Sequence, residues 1–141
     1  MARAPFQILV FPFRKKSEGE YEFAVFKRAD TGYWQAIAGG GENDETLREA
    51  AKRESWEEAK IPTNSVFYQL QSVDSVPRNI FEGSDEYWPE ELDVIPQYTF
   101  SVKCDGHAIQ LSHEHTEFKW ASLRRWKLVC IGVPIKSLCG N

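Results

Sequence analysis

Three consecutive glycines, Gly39-Gly40-Gly41, stand just ahead of a stretch from Thr46 to Ile61 in which carboxylates crowd one side of a helix. This juxtaposition constrains the chain more than any other part of it. Glycines cost about 1 kcal/mol each inside a helix, so the run reads as a turn, and without Cβ atoms its backbone can approach a phosphate or a metal closely. The helix start is signalled by Thr46-Leu47-Arg48-Glu49, a capping box in which the Thr hydroxyl and the Glu carboxylate satisfy each other's backbone donors. Its end is signalled by Pro62, which disfavours helical geometry at Ile61.

On that helix Glu54 lies three residues from Glu57 and four from Glu58, so the three carboxylates project from neighbouring positions on one face. Like charges so placed repel unless cations sit among them, and hard oxygen ligands suit Mg²⁺ or Mn²⁺ better than zinc. Glu49 and Arg53 have the favourable i, i+4 order, with Glu45 nearby, and Arg53 can orient a metal-bearing carboxylate from behind. The Gly39 carbonyl is a further candidate metal ligand. The alternative is a solvated helix face laced with intrahelical salt bridges, a common use of Glu, Arg and Lys.

The 141 residues, 42% hydrophobic and 13% aromatic, suffice for one core, and residues 1–141 read as a single domain. A net charge of −4 argues against a surface that grips nucleic acid, which needs clustered Lys and Arg. Cys104, Cys130 and Cys139 are odd in number and lack Cys-x-x-Cys spacing, so reduced thiols in a cytoplasm are expected. The run Ile8-Leu9-Val10-Phe11 is too short for a signal core or a membrane span. Strands are predicted over 6–13, 21–28, 33–37, 66–73, 97–103 and 117–120, the first two as a hairpin. Residues 79–95 read as an acidic surface loop or lid, and a terminal helix is predicted from Ser122 onward. Strands mixed with one strong central helix and a terminal one imply an α+β or α/β/α arrangement with a mixed sheet.

The spacing Gly39, Glu45, Arg53-Glu54, Glu57-Glu58 resembles the Nudix box, the signature of enzymes that hydrolyse a nucleoside diphosphate linked to another group. The resemblance implies an α/β/α sandwich with a central mixed sheet and metal-dependent cleavage of a pyrophosphate bond. Metal would be held by Glu54, Glu57, Glu58 and Gly39, with Glu57 and Arg53 in catalytic roles. Two positions depart from the family: an aliphatic residue is usual where Ser55 stands and glycine where Lys60 stands. The first should weaken helix packing; the second, if left-handed, should cost on the order of 1 kcal/mol.

Phe26-Lys27-Arg28, Tyr33-Trp34-Gln35 and the later Ser112-His113-Glu114-His115 with Phe118-Lys119-Trp120 are similar to bacterial dihydroneopterin triphosphate and dATP pyrophosphohydrolases. The last pattern also resembles diadenosine tetraphosphate hydrolases. This likeness assigns Glu114 to holding metal or orienting the attacking water, with His113 and His115 as weaker base candidates. Lys27 or Arg28 is a phosphate-contact candidate, Trp34 a platform for a pterin or purine ring, Gly40 a backbone contact and Arg78-Asn79 a polar anchor. Ala38 and Gly132 lack side chains that a matching relative uses for polar contacts. The expected reaction takes a nucleoside or pterin triphosphate to its monophosphate and pyrophosphate with Mg²⁺; the alternatives are a dinucleoside polyphosphate hydrolase and a nucleotide-binding module without turnover. The expected partner is a small nucleotide-like molecule, not nucleic acid or a membrane, and the chain is expected to act as a monomer or homodimer.

Overall fold

The structure, a computed structural model, describes residues 3–78, 88–89, 91–106 and 108–122. Strand β1 (Arg3–Ser17) turns through Gly19, at φ +77°, into β2 (Glu20–Arg28). Then come β3 (Trp34–Gln35), β4 (Ile37–Glu42), helix α1 (Leu47–Ala59), β5 (Phe67–Pro77), β6 (Val94–Lys103) and β7 (His115–Ser122). They form one mixed sheet in the order β3-β2-β1-β6-β5, with β4 added on β1 and β7 on β2. The pairing of β1 with β6 is parallel, Gln7 facing Gln97 and Phe13 facing Lys103; the other pairings are antiparallel.

The sheet departs from the sequence-based expectation in three places. The single strand expected over 33–37 is two, divided at Ala36. The three glycines form no turn: they lie inside β4, where Gly39 pairs with Ile8 and Gly40 with Gln7, and the chain reverses afterwards through Asn43, at φ 49°. β6 begins at Val94 within the segment expected to be loop, because Ile95 is fully buried and pairs with Val76. Residues 79–87 and 90 of that segment, and the terminal helix expected from Ser122, lie outside the described residues, apart from Ser122 itself, which ends β7.

The core lies between the sheet and α1, built on Ile8, Val10, Phe26, Ile37, Phe100 and Val102. The helix meets it through Ala50, Ala51, Ser55, Glu58 and Ala59, small residues for the most part, so its backbone approaches the sheet closely. The capping box forms as expected: Glu49 N–H donates to Thr46 Oγ1 at 3.1 Å and Thr46 N–H to Glu49 Oε1 at 2.8 Å. Glu49 is thereby committed to the cap and not to the expected pair with Arg53. No described helix is long and apolar enough to cross a membrane.

The two departures from the family pattern have visible consequences. Lys60 is left-handed (φ 56°, ψ 34°), as the absent glycine would have been. Its N–H donates to Trp56 O at 3.0 Å, the bond of a left-handed helix cap, and that of Ile61 to Ser55 O at 3.2 Å. Its ammonium lies 4.8 Å from the Trp56 ring centroid. Ser55 is fully buried and its hydroxyl has no hydrogen-bond partner. A buried hydroxyl without a partner is destabilising, and alanine is the better helix former. Ser55→Ala is therefore expected to raise the unfolding free energy by about 1 kcal/mol, seen as a higher urea midpoint at unchanged m-value.

Candidate active site

β4 lies close against side chains of both α1 and β1, and the glycines make that possible. A Cβ on Gly39 would collide with the Glu54 carboxyl and one on Gly41 with the Phe6 ring; on Gly40 it would come within 2.7 Å of the Arg3 guanidinium. Arg53 binds the two elements together. Its Nε and one terminal nitrogen clasp both oxygens of Glu45 at 2.8 and 3.1 Å, and that same terminal nitrogen donates to the Gly40 carbonyl at 2.8 Å. The other terminal nitrogen reaches Glu54 at 2.9 Å and Glu57 at 3.1 Å. Hydrogen bonding to Glu45 holds the guanidinium firmly charged. Burial pushes Glu45 up, but its bonds to Arg53 and its backbone bond outweigh this and hold it below the usual carboxylate range.

Glu58 sits one turn further along, 2% exposed. Among the described residues, no donor lies within hydrogen-bond distance of either oxygen of the ionised group. Burial first, then the adjoining carboxylates of Glu54 and Glu114, push it well above the ordinary range. Burial also raises Glu54. In the absence of a cation, one proton on Glu58 bridges to Glu54 and relieves both the repulsion and the missing donor. Glu114 reaches this group because its segment is tied at both sides: Ser112 N–H donates to Glu58 O at 3.3 Å and Ala29 N–H to Glu114 O at 2.9 Å.

A cavity of about 750 Å³ opens beside these groups. Gly39, Gly40 and Glu54 form one wall, Arg28, Asp30, His113 and Glu114 another, and Arg3, Gln7 and Gln97 a third. Gln35 and Ala38 also line it, the latter with no hydroxyl to offer. Among the described residues no three His, Cys, Asp or Glu side chains close into a ready metal cage. The donor chemistry nonetheless fits a hard divalent cation: Glu58 presents two buried oxygens lacking partners, and Gly39 leaves the space into which the Glu54 carboxyl projects.

Of the residues singled out in the sequence, Glu54, Glu58, Glu114, Gly39, Gly40 and Arg53 come together. Glu57 stays at the margin, its side chain 53% exposed and turned to Arg53. Arg28 lines the cavity but is clasped by Asp30 at 2.7 and 2.8 Å. Lys27, the next residue along an alternating strand, is not in the cavity lining and reaches Glu117 at 3.4 Å. Trp34 is 6% exposed beneath the Lys119 ammonium, 5.4 Å from its ring centroid, and is not among the residues that line the cavity. Arg78 donates to the carbonyls of Trp88 and Pro89, while Asn79 and Gly132 lie outside the described residues. Sequence reasoning missed Arg3, Gln7, Gln97 and Gln35. Gln7 and Gln97 become neighbours only through the parallel pairing of β1 and β6, for which neither strand carries a local signal.

The NUDIX domain sequence profile matches residues 6–129. A curated relative, the dihydroneopterin triphosphate diphosphatase of Haemophilus influenzae, is 25% identical over 100 residues, which are 70% of this chain and 63% of that protein. The match thus spans less than two thirds of the relative's length. Among solved structures, a Listeria monocytogenes chain provisionally designated a NUDIX hydrolase is 38% identical, with a TM-score of 0.77 over 89% of this chain and 83% of its own. The dihydroneopterin triphosphate pyrophosphohydrolase of E. coli shares the fold at 22% identity, with a TM-score of 0.68 over 89% of this chain and 85% of that one. The expected α/β/α sandwich around a mixed sheet is the fold of these neighbours, and this chain belongs to the NUDIX family.

Proposed function

We propose that the chain hydrolyses a pyrophosphate bond in a nucleoside or pterin triphosphate-like substrate with Mg²⁺, or Mn²⁺ in its place, releasing the monophosphate and pyrophosphate. In this reading it acts in the cytoplasm on a small nucleotide-like molecule, as a monomer or homodimer. One observation carries the proposal: buried Glu58 lies against the carboxylates of Glu54 and Glu114, and those two line the same cavity as the backbone of Gly39 and Gly40. Such a cluster is costly to a fold and is explained by a cation that offsets it. The name of the H. influenzae relative supports the substrate class.

The candidate metal ligands are Glu54, Glu58, Glu57, Glu114 and the Gly39 carbonyl. A divalent cation held by these groups would supply Lewis-acid polarisation of phosphoryl oxygens and lower the pKa of the attacking water. The protein's own groups do the rest. Arg53 fixes Glu54 and Glu57 against β4, so that their oxygens are placed before substrate arrives. Glu114, exposed and among the cavity-lining residues, would hold metal or orient the attacking water. Arg28, with Asp30 bracing it, faces the phosphates, and Gly40 lets the chain of phosphates lie close to β4.

Product analysis over a panel of dihydroneopterin triphosphate, dATP, diadenosine tetraphosphate and nucleotide sugars, with Mg²⁺, tests this. The expected result is monophosphate and pyrophosphate from the triphosphates, abolished by EDTA. Preferential cleavage of diadenosine tetraphosphate would overturn the substrate class. Tight nucleotide binding without any product would overturn the enzyme reading.

A further inference from the structure

His115 is completely enclosed at its side chain, yet the reaction outlined above gives it no role. Its ring packs on Phe26, centroids 5.3 Å apart, and both ring nitrogens face polar groups. Nε2 lies 3.2 Å from the amide nitrogen of Gln35. With the Gln35 amide so oriented its nitrogen donates to Nε2, which assigns the ring proton to Nδ1. Nδ1 faces Oε1 of Glu58 at 3.6 Å and has no other partner. That separation exceeds a formed hydrogen bond by roughly half an ångström. The backbone keeps the approach fixed: Ser112 N–H donates to Glu58 O at 3.3 Å and His115 N–H to Ser112 O at 3.4 Å. Gln35 is held on the other side by the pairing of β3 with β2, where it sits opposite Phe26, and it also lines the cavity.

We propose that Gln35 and His115 form a positioning relay for Glu58: the Gln35 amide fixes the Nδ1–H tautomer of His115, and that N–H orients one Glu58 oxygen and leaves the other directed at the cation. His115 touches neither substrate nor cation and acts through Glu58. A carboxylate ligand held from behind by a donor of fixed tautomer binds its metal in a single orientation, and outer partners of this kind are worth 10- to 100-fold in affinity. Its catalytic consequence rests on the function proposed above; its geometry does not.

Two measurements test the relay. In metal-free protein labelled with ¹⁵N-histidine, long-range ¹H–¹⁵N correlation is expected to show His115 as the Nδ1–H tautomer, and Gln35→Leu to mix the tautomers. In Mn²⁺ titrations followed by electron paramagnetic resonance, His115→Asn, whose amide nitrogen occupies the Nδ1 position, is expected to stay within about 3-fold of the unsubstituted protein. His115→Gln, which places its nitrogen at the Nε2 position, and Gln35→Leu are expected to weaken Mn²⁺ by about 10-fold or more. With saturating metal, kcat should fall in these two variants while substrate KM holds. An Nε2–H tautomer, or equal Mn²⁺ affinities in the Asn and Gln variants, overturns the relay. If His115→Gln does not fold, Gln35→Leu decides by the same two readouts. Absence of Mn²⁺ binding to the unsubstituted protein would instead remove the metal-dependent function, leaving the tautomer to settle the relay.

Discussion

Replacing Glu58 with glutamine is expected to lower kcat/KM by about 10³-fold or more and, at the same time, to stabilise the metal-free protein near neutral pH. The two effects have one origin. Glu58 is buried beside Glu54 and Glu114, and its pKa is raised above the ordinary 4.5. Below that ordinary value Glu58 is protonated whether the chain is folded or not, and its environment costs no ionisation energy. As pH climbs past 4.5 the unfolded chain releases the proton while the folded chain keeps it, so folding stability declines with rising pH until the raised native pKa is passed. Glutamine has no proton to lose, and its amide donates toward the carboxylates that flank it. Urea unfolding in EDTA from pH 4 to 8 should therefore show a downward slope in the parent protein and a flatter one in E58Q. Excess Mg²⁺ should reverse the ranking, because a cation present at a hundred times its Kd stabilises the parent by about 2.7 kcal/mol. A parallel pH slope in both proteins would show that the shifted proton resides elsewhere.

Arg53→Ala is the second large effect, and it acts in the opposite direction on the fold. The guanidinium satisfies Glu45 bidentately, Glu54, Glu57 and the Gly40 carbonyl, and its removal takes the counterion from all three carboxylates, of which Glu45 and Glu54 are the more buried. Breaking a fully buried pair costs 3–5 kcal/mol; partial solvent access here reduces the expected loss to about 2–3 kcal/mol. Turnover should fall by at least about 10²-fold, since Glu54 and β4 are no longer fixed to each other. Arg53→Lys is expected to recover part of the stability and little of the activity, because an ammonium cannot span Glu45 and Gly40 in one plane. Melting temperature and steady-state kinetics on the same preparations separate the two losses; full activity in either variant would mean that Glu54 holds its place unaided.

What the sequence made legible was whatever depends on near neighbours along the chain. The capping box, the helix from Thr46 and the grouping of Glu54, Glu57 and Glu58 follow from periodicities of three and four residues; the structure shows the first two and brings Glu54 to Glu58, while Glu57 turns aside to Arg53. The role of the glycines was legible only in kind. Lack of Cβ is indeed what they provide, but for closeness of a strand to Arg3, Phe6 and Glu54 and not for a turn. Lys27 and Trp34 illustrate a different limit: a strand shows residues of both faces in equal measure, and only its pairing decides which face meets the cavity. Arg3, Gln7 and Gln97 were invisible for that reason, being brought to the site by strand neighbours distant in sequence. Ser55 and Lys60 were recognisable as departures; that the first leaves a hydroxyl without a partner, and that the second accepts a left-handed backbone, needed the packed helix to be seen.

The central place of β1 bears on how the molecule is made. The first described residues of the chain are flanked by β4 on one side and by β6 on the other, and the β6 partner of Gln7 is Gln97. A ribosome therefore releases an apolar strand, Ile8 to Phe11, long before the strand that covers its second edge exists. Such closure of distant segments slows folding and leaves an open edge at risk of association meanwhile. Folding in the range of milliseconds to seconds, with protection of β1 amides from exchange appearing together with that of β6 and later than that of α1, is the kinetic signature this topology imposes.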